Sequence, residues 1–230
     1  MKKLGLVGGI GPESTIDYYR GIIAGYRQRL AQDTYPQMVI DSLNLKEMYT
    51  LSSTQQWDKF ADRIIDSLKN LSAAGAEFAA IGANTAHIVF DEVNSRSPVP
   101  LVSLVEATCQ YAQAKGCKRV VVLGTAFTMS SGLYTDALAK FGIDAFVPDK
   151  EQQQVIHNII FPNLQAGIVL QEEKEAMLRI ASQMIKATDA DALVLGCTEL
   201  PLIIKEGDLD TLLLDTTQIH IEAILDYMLA

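Results

Sequence analysis

A chain of 230 residues with 49% hydrophobic composition can bury a sizeable core without disulfide or metal staples. Its formal net charge of −9, from 28 acidic against 19 basic side chains, offers no concentrated Lys/Arg face. That excludes nucleic acid as a partner, while a small anionic ligand held by backbone N–H groups at helix N-termini remains possible.

The elements alternate in type from one end to the other. Strands are predicted at Leu4–Gly8, Met38–Ser42, Phe78–Ile81, Leu101–Leu104, Arg119–Gly124, Ala145–Val147, Ala192–Gly196 and Leu212–Asp215, as short β-rich runs. Amphipathic spacing predicts helices at Glu13–Leu30, Gln55–Ala74, Val105–Lys115, Leu133–Phe141, Gln152–Gln165, Glu172–Ala187 and from Thr217 to the end. The apolar runs, such as Ala192 to Leu195, are strand length and far short of the roughly 20 residues of a membrane span. The stretch after the N-terminal lysines breaks at Gly8 and Gly9 before a signal core develops, so a cytoplasmic protein is expected, with no membrane partner.

Alternation of this kind is the signature of an α/β fold with parallel sheets covered by helices on both faces. Two pairs of segments also look alike: residues 78–85 resemble 192–199, and residues 4–9 resemble 121–125. The chain therefore reads as two pseudo-symmetric domains, residues 1–98 plus 211–230 and residues 99–210, with the Pro-rich stretch Ser97 to Pro100 as the crossover. Ligands of parallel sheets bind at the carboxyl ends of strands, so the active site is expected in a cleft between the two domains.

The chemistry-bearing residues fall at those strand ends. Gly8 to Thr15 joins the first strand to the first helix; with Ser14 in place of a third glycine it is a poor dinucleotide fingerprint. It reads as an anion-accepting turn in which Gly11 frees the backbone and Ser14 or Thr15 offers a hydroxyl, or else as a tight turn with no ligand. Cys197 closes an apolar strand ahead of Thr198 and Glu199, where free N–H groups should favour the thiolate and lower the thiol pKa. Ala83, Asn84, Thr85 and His87 occupy the matching strand end of the first half. There Asn84 and Thr85 can bind a carboxylate, and His87 can tune a charge or simply be a hydrogen-bonded helix histidine. Thr125 and Thr128 belong to the second half's counterpart of the glycine turn and suit either a polar wall or a helix cap. The three cysteines have no C-x-x-C spacing and the histidines no partner at metal-ligand spacing, so neither a disulfide framework nor a metal site is expected.

Taken together, G-G-x-G-P at 8–12, N-T-x-H at 84–87, the G-T-x-x-T-M-x-S-G-x-Y segment ending at Tyr134 and G-C-T-E at 196–199 resemble the aspartate/glutamate racemase family over essentially the whole chain. The resemblance implies an amino-acid racemase that uses no pyridoxal phosphate and is often a homodimer. In it two cysteines, one from each half, flank the substrate α-carbon. Inverting a stereocentre through a planar carbanion needs an acid and a base on opposite faces. Carried over by position, Asn84, Thr85, Thr125 and Thr198 would cradle the α-carboxylate, and Cys197 would be the thiol acting on the L-enantiomer, with Glu199 and His87 as tuning groups.

Two departures from the family pattern qualify this. The first-half cysteine position holds Ala83, which can neither give nor take a proton, whether the alanine is native or introduced. The cations that family aspartate racemases direct at the side-chain carboxylate correspond to Met48 and Gln165, so Ser52, Ser53 and Gln165 become the neutral candidates for that contact. The resemblance therefore implies an Asp/Glu racemase working through Cys197. It leaves open a single-thiol decarboxylase or isomerase of a small dicarboxylate, or an inactive carboxylate-binding relative.

Overall fold

The structure is a computed structural model that describes residues 1–30 and 34–230. It contains two compact units, Met1–Leu104 with Thr217–Ala230, and Val105–Thr216.

In the first unit the strands β1 (Leu4–Gly8), β2 (Met38–Ser42), β3 (Phe78–Ile81) and β4 (Leu101–Val102) form a parallel sheet in the order β2-β1-β3-β4. Leu4 pairs with Met38 on one side and Phe78 on the other, so β1 is central and buried throughout. Parallel strands need a covered face on each side, because helical crossovers carry the chain over the sheet. One face takes α1 (Pro12–Leu30) and α11 (Thr216–Leu229), where Tyr18, Ile22, Ile221, Ile224 and Leu225 pack on Leu4, Leu6 and Phe78. The other takes α2 (Leu45–Ser53), α3 (Trp57–Ala73) and α4 (Phe90–Arg96). On α3 the residues Phe60, Ala61, Ile64, Ile65, Leu68 and Leu71 recur at helical spacing and are all buried against Val7, Ala79 and Ile81. Each fully buried Phe, Ile or Leu among them contributes roughly 1.5–3 kcal/mol of transfer free energy.

The second unit repeats the plan. Strands β5 (Arg119–Leu123), β6 (Asp144–Phe146), β7 (Ala192–Leu195) and β8 (Leu212–Asp215) are parallel in the order β6-β5-β7-β8, the same topology as the first sheet. Its helices are α5 (Leu104–Ala114), α6 (Ala126–Ser130), α7 (Thr135–Ala139), α8 (Lys150–Ile160), α9 (Gln171–Thr188) and α10 (Leu200–Ile203). A core of Val121, Leu123, Leu193 and Leu195 packs against Ile156, Ile159, Ile160, Met177 and Ile180 of α8 and α9.

The expected α/β class with two similar parallel sheets is what the chain forms. The expected boundaries need correction. The Pro-rich stretch does not end the first unit: Pro100 leads into β4, which pairs with β3 at Ala79↔Leu101. Proline lacks an N–H and sits readily at the start of an edge strand, so it marks the strand's entry here. Nor does the last strand return to the first sheet. Leu212–Asp215 pairs with Ala192–Leu195 in the second, and α11 alone returns. The helices at Leu45–Ser53 and Phe90–Arg96 were not expected from the sequence. The helix expected over 152–165 begins at Lys150, capped by Asp149 accepting from the Gln152 amide at 2.9 Å, and ends before Pro162, which holds Phe161 extended. No helix among the described residues is long and apolar enough to cross a membrane.

Candidate active site

The turn from β1 to α1 is closed on itself. Gly9 has φ +79° and its pro-side-chain position abuts the Leu43 backbone, so only glycine fits. The Gly9 amide donates to Thr15 Oγ1 at 2.8 Å, and that hydroxyl donates to the Gly11 carbonyl at 3.1 Å. Ser14 is buried and its hydroxyl donates to the Gly82 carbonyl at 2.9 Å. The Ser14 and Thr15 hydroxyls thus help to hold the turn and the end of β3.

At the end of β3, Ala83 and Asn84 are buried and Thr85 is half-buried at the start of a 3₁₀ turn, Thr85–Val89. His87 does not face a charge. It is buried, its Nδ1–H donates to the Ala83 carbonyl at 2.9 Å and its Nε2 accepts the Leu104 amide at 3.0 Å. Burial holds its pKa down to about 4, although the bond to Ala83 opposes the shift. A neutral imidazole with both nitrogens on backbone groups cannot tune a substrate charge as a cation, so the expected electrostatic role is corrected to a structural one.

Cys197 lies just past the end of β7. Its Sγ donates to Glu199 Oε2 at 2.9 Å, and Thr198 Oγ1 donates to the same oxygen at 2.9 Å. Cys197 and Glu199 are both buried and Thr198 is half-buried. The thiol pKa is raised well above its ordinary value, first by burial and then by the Glu199 carboxylate, against smaller lowering from the Thr198 and Glu199 backbone amides. The expected lowering of this pKa is overturned. Helix α10 is only four residues long, too short to build a dipole that offsets desolvation and a carboxylate in contact. Thr216 donates to the Leu195 carbonyl at 2.9 Å and pins the strand end.

Thr125 caps α6, accepting from the Thr128 amide at 3.2 Å and lying 3.0 Å from the Thr128 hydroxyl. Gln165 is half-buried in the 3₁₀ turn Leu164–Ala166. Ser52 and Ser53 bond back into α2, to the Tyr49 and Thr50 carbonyls. Met48 is buried in the first unit's core, so it presents nothing to a ligand. Cys109 and Cys117 are buried free thiols, with burial pushing the Cys109 thiol up to about 12. Among the described residues no group of three or more His, Cys, Asp or Glu is placed to hold a metal ion.

The sequence reading missed a buried set around the end of β4. His220 Nδ1 lies 2.7 Å from the Tyr18 hydroxyl, and its Nε2 lies 2.9 Å from the Val102 carbonyl. Tyr18 and His220 are 202 positions apart, so no local spacing could reveal the pair.

A family model described as Asp/Glu/Hydantoin racemase matches residues 7–224. The chain belongs to that family. The broad-specificity amino-acid racemase RacX of Bacillus subtilis (strain 168) is 29% identical to this family member over 208 residues, covering 87% of each chain. A Yersinia pestis structure assigned to the Asp/Glu racemases has a TM-score of 0.93 with 31% identity, and an aspartate racemase homologue from Pyrococcus horikoshii OT3 has 0.89 with 34%; each alignment covers 100% of both chains. The matched residues include both strand ends, and β3 and β7, which hold the same place in their sheets, lead into Asn84-Thr85 and Cys197-Thr198-Glu199 respectively.

Proposed function

We propose that this racemase-family chain acts on aspartate or glutamate without pyridoxal phosphate, using Cys197 as its acid/base toward the L-enantiomer. The observation that carries this reading is the Cys197–Glu199 contact at 2.9 Å. A thiol whose pKa is raised is protonated at rest, and a carboxylate in contact with it is the group that receives its proton when thiolate is needed. Glu199 Oε2 accepts the Sγ proton, and the thiolate removes the α-hydrogen of the L-amino acid. The carbanion's charge is delocalised into the α-carboxylate, for which Thr125 and Thr198, in the same unit as Cys197, supply donors, and the family resemblance assigns Asn84 and Thr85 the same role. Once the hydrogen on the thiol has traded with solvent, its return to the same face gives exchange without inversion. Return to the opposite face gives the D-enantiomer, and Ala83 cannot serve it, so water or another group does. The proposal includes a cytoplasmic homodimer, its dimeric state testable by light scattering of the purified chain and its location by cell fractionation.

The test is α-hydrogen exchange of L-aspartate and L-glutamate in deuterium oxide, followed by NMR. Wild-type protein should exchange the hydrogen, Cys197→Ser should abolish exchange, and Ala83→Cys should raise racemisation, especially from the D-enantiomer. Absence of exchange by wild-type protein with either amino acid refutes the proposal.

Ala83 and the burial of Met48 favour one second reading, a single-thiol decarboxylation of a small dicarboxylate. That reaction needs only one proton donor and no cation on a side chain. Release of carbon dioxide from a substituted malonate, with no exchange on amino acids, would select it.

A further inference from the structure

We infer that His87 is a positioning residue that sets the carbonyl of Ala83, and through it the Asn84-Thr85 edge, against the backbone where β4 passes into α5. The inference rests on the reading of that edge as part of the carboxylate cradle and extends it to a residue that touches no substrate.

The hydrogen bonds leave one tautomer for each histidine. A carbonyl only accepts, so His87 Nδ1 must carry the proton it gives to Ala83, and its Nε2 must be the lone pair that takes the Leu104 N–H. His220 has the opposite tautomer: Nε2–H donates to Val102, and Nδ1 accepts from the Tyr18 hydroxyl. The two rings meet edge to face with centroids 6.2 Å apart, and His87 stacks on Phe90 at 5.1 Å with planes 6° apart. Both imidazoles are buried, so a broken bond here is not replaced by bulk water.

What this frame holds is specific. Val102 and Leu104 bracket Ser103, the joint between the edge strand and the next helix, and each is bonded by a different histidine. At the other end the Gly82 carbonyl is held by Ser14 and the Ala83 carbonyl by His87. Two successive peptide groups at the end of β3 thus have their carbonyls fixed by side chains from other elements or from one turn ahead. The orientation of the Asn84 and Thr85 groups follows from those peptide planes, and a purely filling side chain at 87 would remove the bond that His87 makes to the carbonyl of the second plane. Preorganised donors are what a site for a developing carboxylate charge requires.

The two bonds of His87 can be separated by substitution. Asparagine places its Nδ2 near the Nδ1 position and can keep the bond to Ala83 while losing Leu104. Glutamine places Oε1 near the Nε2 position and can keep Leu104 while losing Ala83. Affinity for L-aspartate is measured by calorimetry in proteins that also carry Cys197→Ser, so that turnover does not enter, and amide hydrogen exchange at residues 83–85 is followed without ligand. His87→Asn should bind within about threefold of its parent, whereas His87→Gln should bind about tenfold more weakly with faster exchange at 83–85, the loss of one buried bond. Thermal midpoints of the two should fall by similar amounts. If affinity and exchange instead track thermal stability equally in both variants, His87 merely fills space and the inference is overturned. If the exchange contrast appears but the parent binds neither L-aspartate nor L-glutamate in the same calorimetry, the positioning role stands and the racemase reading fails.

Discussion

Mild acid should unfold the first unit through its two buried histidines. His87 and His220 have folded pKa values of about 4 and about 3, against 6.5 for the free side chain, with burial the largest cause in both and the neighbouring His87 a further cause for His220. A folded value below the unfolded one means that near pH 5 the unfolded chain binds protons that the folded chain refuses. Stability is then fully present above about pH 6.5 and falls as the pH is lowered toward 4. Two histidines give a slope of about 2.7 kcal/mol per pH unit near pH 5, and about 5 kcal/mol is lost by pH 4.5. That is comparable with the roughly 5–15 kcal/mol total stability of an ordinary domain. Asp191 and Asp208, whose pKa values are lowered by backbone amides and by Lys174, add their own loss only below about 3.8. The single tryptophan, Trp57, opens α3 in the first unit, so its fluorescence during urea unfolding at a series of pH values reports the relevant unit. His87→Asn removes one titrating group and should cut the slope to about 1.4 kcal/mol per unit. A urea midpoint that is flat between pH 7 and 5, or a slope unchanged in that variant, would refute the argument.

Glu199→Gln should move two readouts in opposite directions. Losing the proton acceptor lowers α-hydrogen exchange by about 10²–10⁴-fold, while losing the negative charge beside Sγ lowers the thiol pKa and speeds alkylation of Cys197 by iodoacetamide at about pH 8. Parallel falls in both would mean the variant has only disturbed packing. Gly9→Ala should destabilise the first unit by about 1–3 kcal/mol in urea melts, because φ +79° is strained for alanine and its Cβ meets the Leu43 backbone; a change under about 0.5 kcal/mol would show that the turn relaxes freely.

Much of the fold was legible because parallel strands buried on both faces must be short continuous apolar runs. The buried runs at 4–8 and 78–81 form strands over those same residues, and so do the edge segments 38–42 and 212–215, which begin with three apolar residues and turn polar only at their ends. Helices were harder. Leu45–Ser53 buries only Met48, so its apolar periodicity is slight, and Phe90–Arg96 buries only Val93. Strand partners were beyond local reading, since whether Leu212–Asp215 joins the first sheet or the second depends on a neighbour some twenty residues away in one case and far more in the other. Proline clustering at 98–100 likewise looks the same before an edge strand as at a domain break.

The candidate site divides along a similar line. The sequence by itself determined the α/β class, the internal repetition, the family likeness and the placing of Cys197-Thr198-Glu199 and Asn84-Thr85 at equivalent strand ends, because these are properties of order and spacing along the chain. Only the tertiary structure decided what those groups do to one another. It turned the thiol pKa upward instead of downward, since burial and a carboxylate at 2.9 Å outweigh a four-residue helix. It bonded the Ser14 and Thr15 hydroxyls to Gly82 and Gly11, and made His87 a neutral backbone clamp alongside a His220 that no spacing rule had singled out. Desolvation and hydrogen-bond partnership depend on which distant residues surround a group, and residue type and local spacing do not encode that.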